Sequence, residues 1–225
     1  MIRLSKKTVP PVLAENAAAW TQVLLDHEAA NTTPTPTEKS RYRHADIKVA
    51  LLEETCGKCA YCESKLRHVT YGDIEHISPK SLDVRKTFEW ENLTLACDVC
   101  NTNKSDHFGN HEDLVDPYVL EPSDHLDFLG ATVLSRPGST PGLITESTLV
   151  LNRADLLERR RDRLSNLCKQ LHLIVEVTDP NKKEVLRRDL RREMQDDKEY
   201  AAMARAYIPQ QLSRLDDLST TSTAR

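Results

Sequence analysis

Apolar residues first recur at helical spacing at Leu13, Ala17, Trp20 and Leu24, which predicts a helix over 12–30 behind Pro10 and Pro11, with Trp20 as a core anchor. The stretch N-T-T-P-T-P-T (31–37) is closed to helix and reads as a linker. Ile47, Ala50, Leu51 and Glu54 restore the helical repeat over 46–55, and Gly57 supplies the stop. The period then shortens. Residues 69–77 and 93–96 read as strands, the first closed by Pro79, and 98–105 as a short helix. Further on, 128–134 and 142–145 alternate loosely around R-P-G-S-T-P-G (136–142), which predicts a hairpin. Leu157, Leu164, Leu167, Cys168 and Leu171 form one stripe, predicting a helix over 149–177 with Cys168 as a small buried hydrophobe. Asp179-Pro180 caps another helix, running through Met194 and on towards Tyr207, and the polar tail 215–225 reads as frayed. A few strands between helical ends give an α+β class with no internal repeat.

The chemistry is concentrated between Cys56 and Ser105. Three segments carry it: C-G-K-C-A-Y-C-E (56–63), D-I-E-H-I-S-P-K (73–80) and W-E-N-L-T-L-A-C-D-V-C-N-T-N-K-S (90–105). Cys97 and Cys100 form one Cys-x-x-C pair. Either Cys59/Cys62 or Cys56/Cys59 forms the other. Two residues between thiolates let one turn present both sulfurs to a tetrahedral Zn²⁺, so two pairs make a four-thiolate structural site. Disulfides are the bland alternative, but nothing in the chain indicates export.

A strand–strand–helix order, the helix started by the second cysteine pair, brings His76, Asn92 and Asn101 to one end of a small unit. A neutral imidazole there can take a proton from water, while Glu75 and the Asn101 side-chain oxygen are hard donors suited to Mg²⁺ or Mn²⁺. A histidine beside a carboxylate is more often a plain surface residue; its place between the cysteine pairs weighs against that here. The pair His107/His111 has helical metal-ligand spacing, but Gly109 between them favours a loop.

With these residues in place, 56–105 resembles an HNH endonuclease of the ββα-metal class in its zinc-knuckle form. The resemblance implies that the first zinc pair is Cys59/Cys62, next to Tyr61 and Glu63. It implies His76 as general base, Glu75 and Asn101 as holders of a catalytic Mg²⁺ or Mn²⁺, and Asn92 as the residue that pins the loop orienting His76. Lys104, closing C-N-T-N-K, would face phosphate. The chain departs from the family at Glu75, where Asp or His is usual; Asp73, on the same strand face, is the fallback ligand. A narrower resemblance adds I-E-H-I-S-P-K-S, W-E-N-L, L-V-D-P and L-N-R-A-D-L-L-E-R (151–159). That order is similar to PtuB proteins, the HNH component of the Septu anti-phage system and of some retron systems, and it implies a PtuA-like ATPase as partner.

Composition sets limits on this reading. A chain of 225 residues is long enough for a core with appendages. The expected division is 1–36 leading helix and linker, 37–118 nuclease core, 119–150 hairpin and connector, 151–210 helical region and 211–225 tail. No apolar run spans a bilayer and M-I-R-L-S-K-K lacks a signal core, so a reducing cytoplasm and no membrane partner are expected. A net charge of −4 is poor for a solitary nucleic-acid binder: either the basic residues share one face or a partner supplies part of the grip. The arginine-dense stretches 159–163 and 187–192 are interleaved with Glu158, Asp162, Asp189 and Glu193 and read as solvated, salt-bridged faces. No Walker-type phosphate loop is present, so any ATP dependence comes from another chain. The expected activity is metal-dependent phosphodiester hydrolysis, with DNA favoured. The rivals are the same chemistry on RNA or tRNA, and a zinc-stapled adaptor of the ATPase that does not cut.

Overall fold

A computed structural model describes residues 1–66, 72–106 and 114–222, with side chains through 216. Helix α1 (Pro11–Ala29) opens with Pro11 in its first turn, after an extended Pro10. Its buried Leu13 and Leu24 face the core, and the Trp20 ring meets Phe88 edge-on with centroids 5.4 Å apart. Phe88 closes a 3₁₀ turn, Val84–Phe88, against which α1 lies. The stretch expected to be a non-helical linker is helical at its end. Thr35 caps α2 (Pro36–Ser40) through a reciprocal exchange with Glu38, and Pro36 in the first turn favours the helix there.

Helix α3 (Ala45–Glu54) buries Ile47 and Leu51 completely and packs on β2 (Leu93–Ala96). It ends where Cys56 (φ 54°) and Gly57 (φ 68°) turn left-handed and the Gly57 N–H reaches the Leu52 carbonyl at 2.7 Å. Strand β1 (Asp73–His76) pairs antiparallel with β2 in the register Asp73↔Ala96 to His76↔Leu93. The first strand is therefore shorter than the expected 69–77; residues 69–71 lie outside those described. Helix α4 (Asp98–Lys104) follows β2 at once, which completes the ββα unit.

Two expectations beyond this unit are corrected. The hairpin is β3 (Leu126–Leu129) with β4 (Thr132–Ser135), turning at Gly130 (φ 60°). Residues 142–145 lie in helix α5 (Thr140–Thr148), capped by the Ser139 hydroxyl. Gly142 packs so closely on the His125 carbonyl that a Cβ would sit 2.2 Å from its oxygen. The helix expected from 149 begins instead at α6 (Ala154–Glu176), because Asn152 turns back to exchange two 2.8 Å hydrogen bonds with the Val133 backbone.

Helices α6, α7 (Pro180–Arg192) and α8 (Ala201–Ser222) share a second core of Leu167, Leu171, Ile174, Leu190, Ala204, Ile208 and Leu212. Asp179 caps α7 as expected, accepting from the N–H groups of Asn181 and Lys182. Three details differ from expectation. Cys168 is exposed, with its Sγ 3.0 Å from the Tyr207 hydroxyl; Leu167 takes the inward place beside it. Arg160 is buried, donating to the Leu151 carbonyl at 2.8 Å, while Arg191 and Arg192 do pair with Glu184 and Asp189 at the surface. The tail stays helical to Ser222. Among the described residues no helix is long and apolar enough to cross a membrane.

Candidate active site

The two Cys-x-x-C turns converge. Sγ atoms of Cys59, Cys62, Cys97 and Cys100 all lie within 4.8 Å of one another, and those of Cys62 and Cys97 are 3.9 Å apart. Zn–S bonds of about 2.3 Å in a tetrahedron put sulfurs about 3.8 Å apart, so this cluster fits zinc with little adjustment. All four are buried, which leaves no open coordination position for chemistry. Cys56 is half-buried and outside the cluster, so Cys59/Cys62 is the first pair. The first knuckle is tied to the sheet by the Ala60 N–H on the Leu95 carbonyl at 2.9 Å, and the Cys97 thiol caps α4. The Arg153 guanidinium stands over the second knuckle, 3.8 Å from both the Cys97 and Cys100 sulfurs.

A cleft of about 570 Å³ opens where β1 meets α4, and Asp73, Glu75, His76 and Asn101 are among its walls. His76 Nε2 lies 3.0 Å from the Thr87 carbonyl oxygen. A carbonyl only accepts, so Nε2 carries the proton and Nδ1 is left as the basic nitrogen. Burial holds the His76 pKa down at about 4; the Thr87 carbonyl opposes this, and Lys80, Lys104 and Arg43 reinforce it. His76 is thus neutral at neutral pH. The Tyr42 ring packs edge-on against the imidazole, centroids 4.6 Å apart.

Asn92 lies beneath the cleft, in the loop between β1 and β2. Its Oδ1 accepts the Ser78 N–H at 2.7 Å, and its Nδ2 donates to the carbonyls of Ser78 at 2.9 Å and Lys86 at 3.0 Å. It therefore joins the two ends of the segment that carries the Thr87 carbonyl to His76.

Lys104 does not lie where the sequence reading put it. Its ammonium is fully buried, donating to Glu75 Oε1 at 2.8 Å and to the His76 carbonyl at 2.8 Å. At the C-terminal end of α4 its side chain turns inward onto β1 rather than out to where a phosphate would lie. Burial raises the Glu75 pKa, and Lys104 pulls it the other way. Asn101 Nδ2 donates to Asp73 Oδ2 at 3.1 Å rather than meeting Glu75. Carboxylate and amide oxygens of the kind a hard cation takes do line one cleft, so the donor set fits Mg²⁺ or Mn²⁺. Among the described residues, however, only the four cysteines cluster tightly as three or more ligand groups. His107 and His111 lie outside the described residues.

Sequence reasoning missed Tyr42, Arg43, Lys80 and the Thr87 carbonyl. Lys80 sits inside the D-I-E-H-I-S-P-K run, but nothing local distinguishes Tyr42, whose place beside His76 depends on how α3 packs.

The unit is a two-stranded antiparallel sheet followed by a short helix, with four clustered cysteines and a histidine on its first strand. Residues 59–107 match the family model described as HNH endonuclease, and the chain carries that domain. Two relatives extend the likeness beyond the domain. Septu protein PtuB of Bacillus thuringiensis is 30% identical over 158 residues, covering 70% of this chain and 57% of the relative. Septu protein PtuB of Bacillus mycoides (strain KBAB4) is 24% identical over 194 residues, covering 71% of this chain and 66% of the relative. In both cases the matched part falls short of two thirds of the relative's own length.

Proposed function

We propose that this chain is a metal-dependent endonuclease that hydrolyses phosphodiester bonds, DNA in preference to RNA, as the nuclease subunit of a Septu-type defence complex. The observation that carries the reading is His76, fixed in one tautomer by the Thr87 carbonyl on the wall of a cleft shared with Glu75 and Asn101. Its Nδ1 accepts a proton from the attacking water, and Asn92 keeps the Thr87 carbonyl in register so that the ring does not rotate. Glu75 and Asn101 would hold Mg²⁺ or Mn²⁺, with Asp73 next to them. Bound there, such a cation stabilises the charge that develops on the phosphate and the leaving oxygen. The four-thiolate zinc is structural. It sets the start of α4 and so places Asn101.

The likeness to Septu PtuB proteins supports an ATPase partner, and the chain's net charge of −4 leaves part of the grip for it to supply. All six cysteines are unpaired by disulfides, in keeping with a cytoplasmic location. The test is cleavage of plasmid DNA and of tRNA in parallel by wild type and His76→Ala, with Mg²⁺, Mn²⁺ or EDTA, alone and with a PtuA-like ATPase. Cleavage lost in the variant with zinc retained is the expected result. Silence from the wild type under every condition would favour the non-cutting adaptor.

A further inference from the structure

We propose that Lys80 and Arg43, gathered on the Tyr42 ring, grip the phosphate backbone of the substrate in this cleft, with Tyr42 the positioning residue that joins this grip to His76. The inference rests on the nuclease reading above. It starts from a deficit: Asp73 and Asp106 line the cleft and repel a polyanion, while the buried Lys104 ammonium is committed to Glu75. Two exposed cations on the same walls make it good. Lys80 Nζ donates to the Tyr42 hydroxyl at 2.8 Å and lies 4.3 Å from the ring centroid; the Arg43 guanidinium lies 5.6 Å from it. Among the described residues neither has a carboxylate within salt-bridge distance. An aromatic face fixes a cation without cancelling its charge, so both stay available to an incoming anion. The same ring abuts the imidazole at 4.6 Å, which sets the grip and the base at one fixed separation. Tyr42 and Arg43 precede the matched HNH segment 59–107, so the grip is shared between the domain and the turn that leads into α3.

The test uses the full zinc-loaded chain, alone and with the ATPase. Binding of a labelled DNA duplex is measured without added Mg²⁺ or Mn²⁺ against salt in a His76→Ala background, with zinc content checked in each sample. Lys80→Gln and Arg43→Gln are each expected to lower the slope of log K against log salt by about 1, and the pair by about 2. In the cleaving protein both raise KM far more than they lower kcat. Tyr42→Phe, which keeps the ring but frees Lys80, raises KM less; Tyr42→Leu also lowers kcat, because His76 loses its neighbour. An unchanged slope in the double variant, while wild type binds and cuts, overturns the grip and leaves the nuclease reading standing. Lost binding accompanied by lost zinc or a lower Tm also overturns it, since these side chains would then be structural. A wild type that cuts neither DNA nor RNA overturns both.

Discussion

Lys104 and Glu75 form a buried ion pair, Nζ to Oε1 at 2.8 Å, and the same ammonium holds the carbonyl of His76. The lysine of C-N-T-N-K is thus a strut under β1. Its charge is needed inside the protein, where the Glu75 carboxylate would otherwise lose its ion-pair partner. Truncating one member of such a pair typically costs about 3–5 kcal/mol. Lys104→Met is therefore expected to lose that much in urea unfolding at matched zinc content, and to lose cleavage with it. A phosphate-contacting lysine would behave oppositely, leaving stability intact and weakening binding in a salt-dependent way. Unfolding curves that superimpose on wild type would sink the strut.

His76 has a pKa near 4 when folded, against an ordinary value of 6.5. Between those values the unfolded chain takes up a proton that the folded chain refuses. Stability due to this group therefore falls as pH drops from about 6.5 to about 4 and levels off below, a loss of about 3 kcal/mol. Wild type and His76→Gln, unfolded by urea across this range, should differ by a gap that changes by that amount. Zinc thiolates protonate in the same range, but both proteins share that effect. A gap independent of pH would mean that the imidazole is not buried as described. The acid limb of cleavage assigned to His76 should likewise lie near 4 rather than near 6.5.

Much of the site was legible because its signals are local. Cys59/Cys62 and Cys97/Cys100 each act through one turn, and Leu93–Ala96 and the helix from Asp98 follow from short-range pattern. The role of Asn92 came from the family resemblance rather than from a local signal; the side chain makes three hydrogen bonds to the Ser78 and Lys86 backbone. What failed was direction. Whether Lys104 points out to solvent or down onto Glu75 depends on the angle at which α4 leaves β2, and no spacing encodes that angle. The same holds for Arg160, whose neighbours Arg159 and Arg161 stay exposed while it turns inward. Contacts across long separations were invisible too: Tyr42 beside His76, Arg153 over Cys97 and Cys100, Asn152 on Val133. The misplaced hairpin has a simpler cause. Pro and Gly at 137–142 mark a turn as readily as the start of a capped helix, and the Ser139 cap decides for α5.

Asn92 offers a test of the loop separate from the base. Removing its amide leaves the Ser78 N–H and the Ser78 and Lys86 carbonyls without this partner, at about 1–3 kcal/mol for each group that stays dry. Asn92→Ala is expected to lower kcat well beyond any change in KM, because the Thr87 carbonyl no longer holds the ring. Asn92→Asp keeps the acceptor for Ser78 N–H but loses both donors, so it should recover part of the stability and little of the rate. Full activity in both variants would detach the loop from catalysis.

Arg153 links the C-terminal half of the chain to the four-cysteine cluster. Four thiolates on one Zn²⁺ leave a net charge of −2, buried, and the guanidinium 3.8 Å from Cys97 and Cys100 is a cation placed against it. Outer partners of metal ligands commonly carry about 10–100-fold in metal affinity. Arg153→Gln should therefore release zinc to a chelating dye faster than wild type, with an affinity loss in that range, and its Tm should fall further in chelator than in added zinc. Arg153→Lys keeps the charge but not the two-nitrogen reach, so it should lie between them. The effect also has to travel: Cys97 caps α4, so a loosened knuckle displaces Asn101 and, through it, the cleft. If Arg153→Gln keeps zinc as tightly as wild type yet still loses Tm, the arginine acts through its hydrogen bonds to the Leu149 and Val150 carbonyls instead, as a cap on the turn into α6.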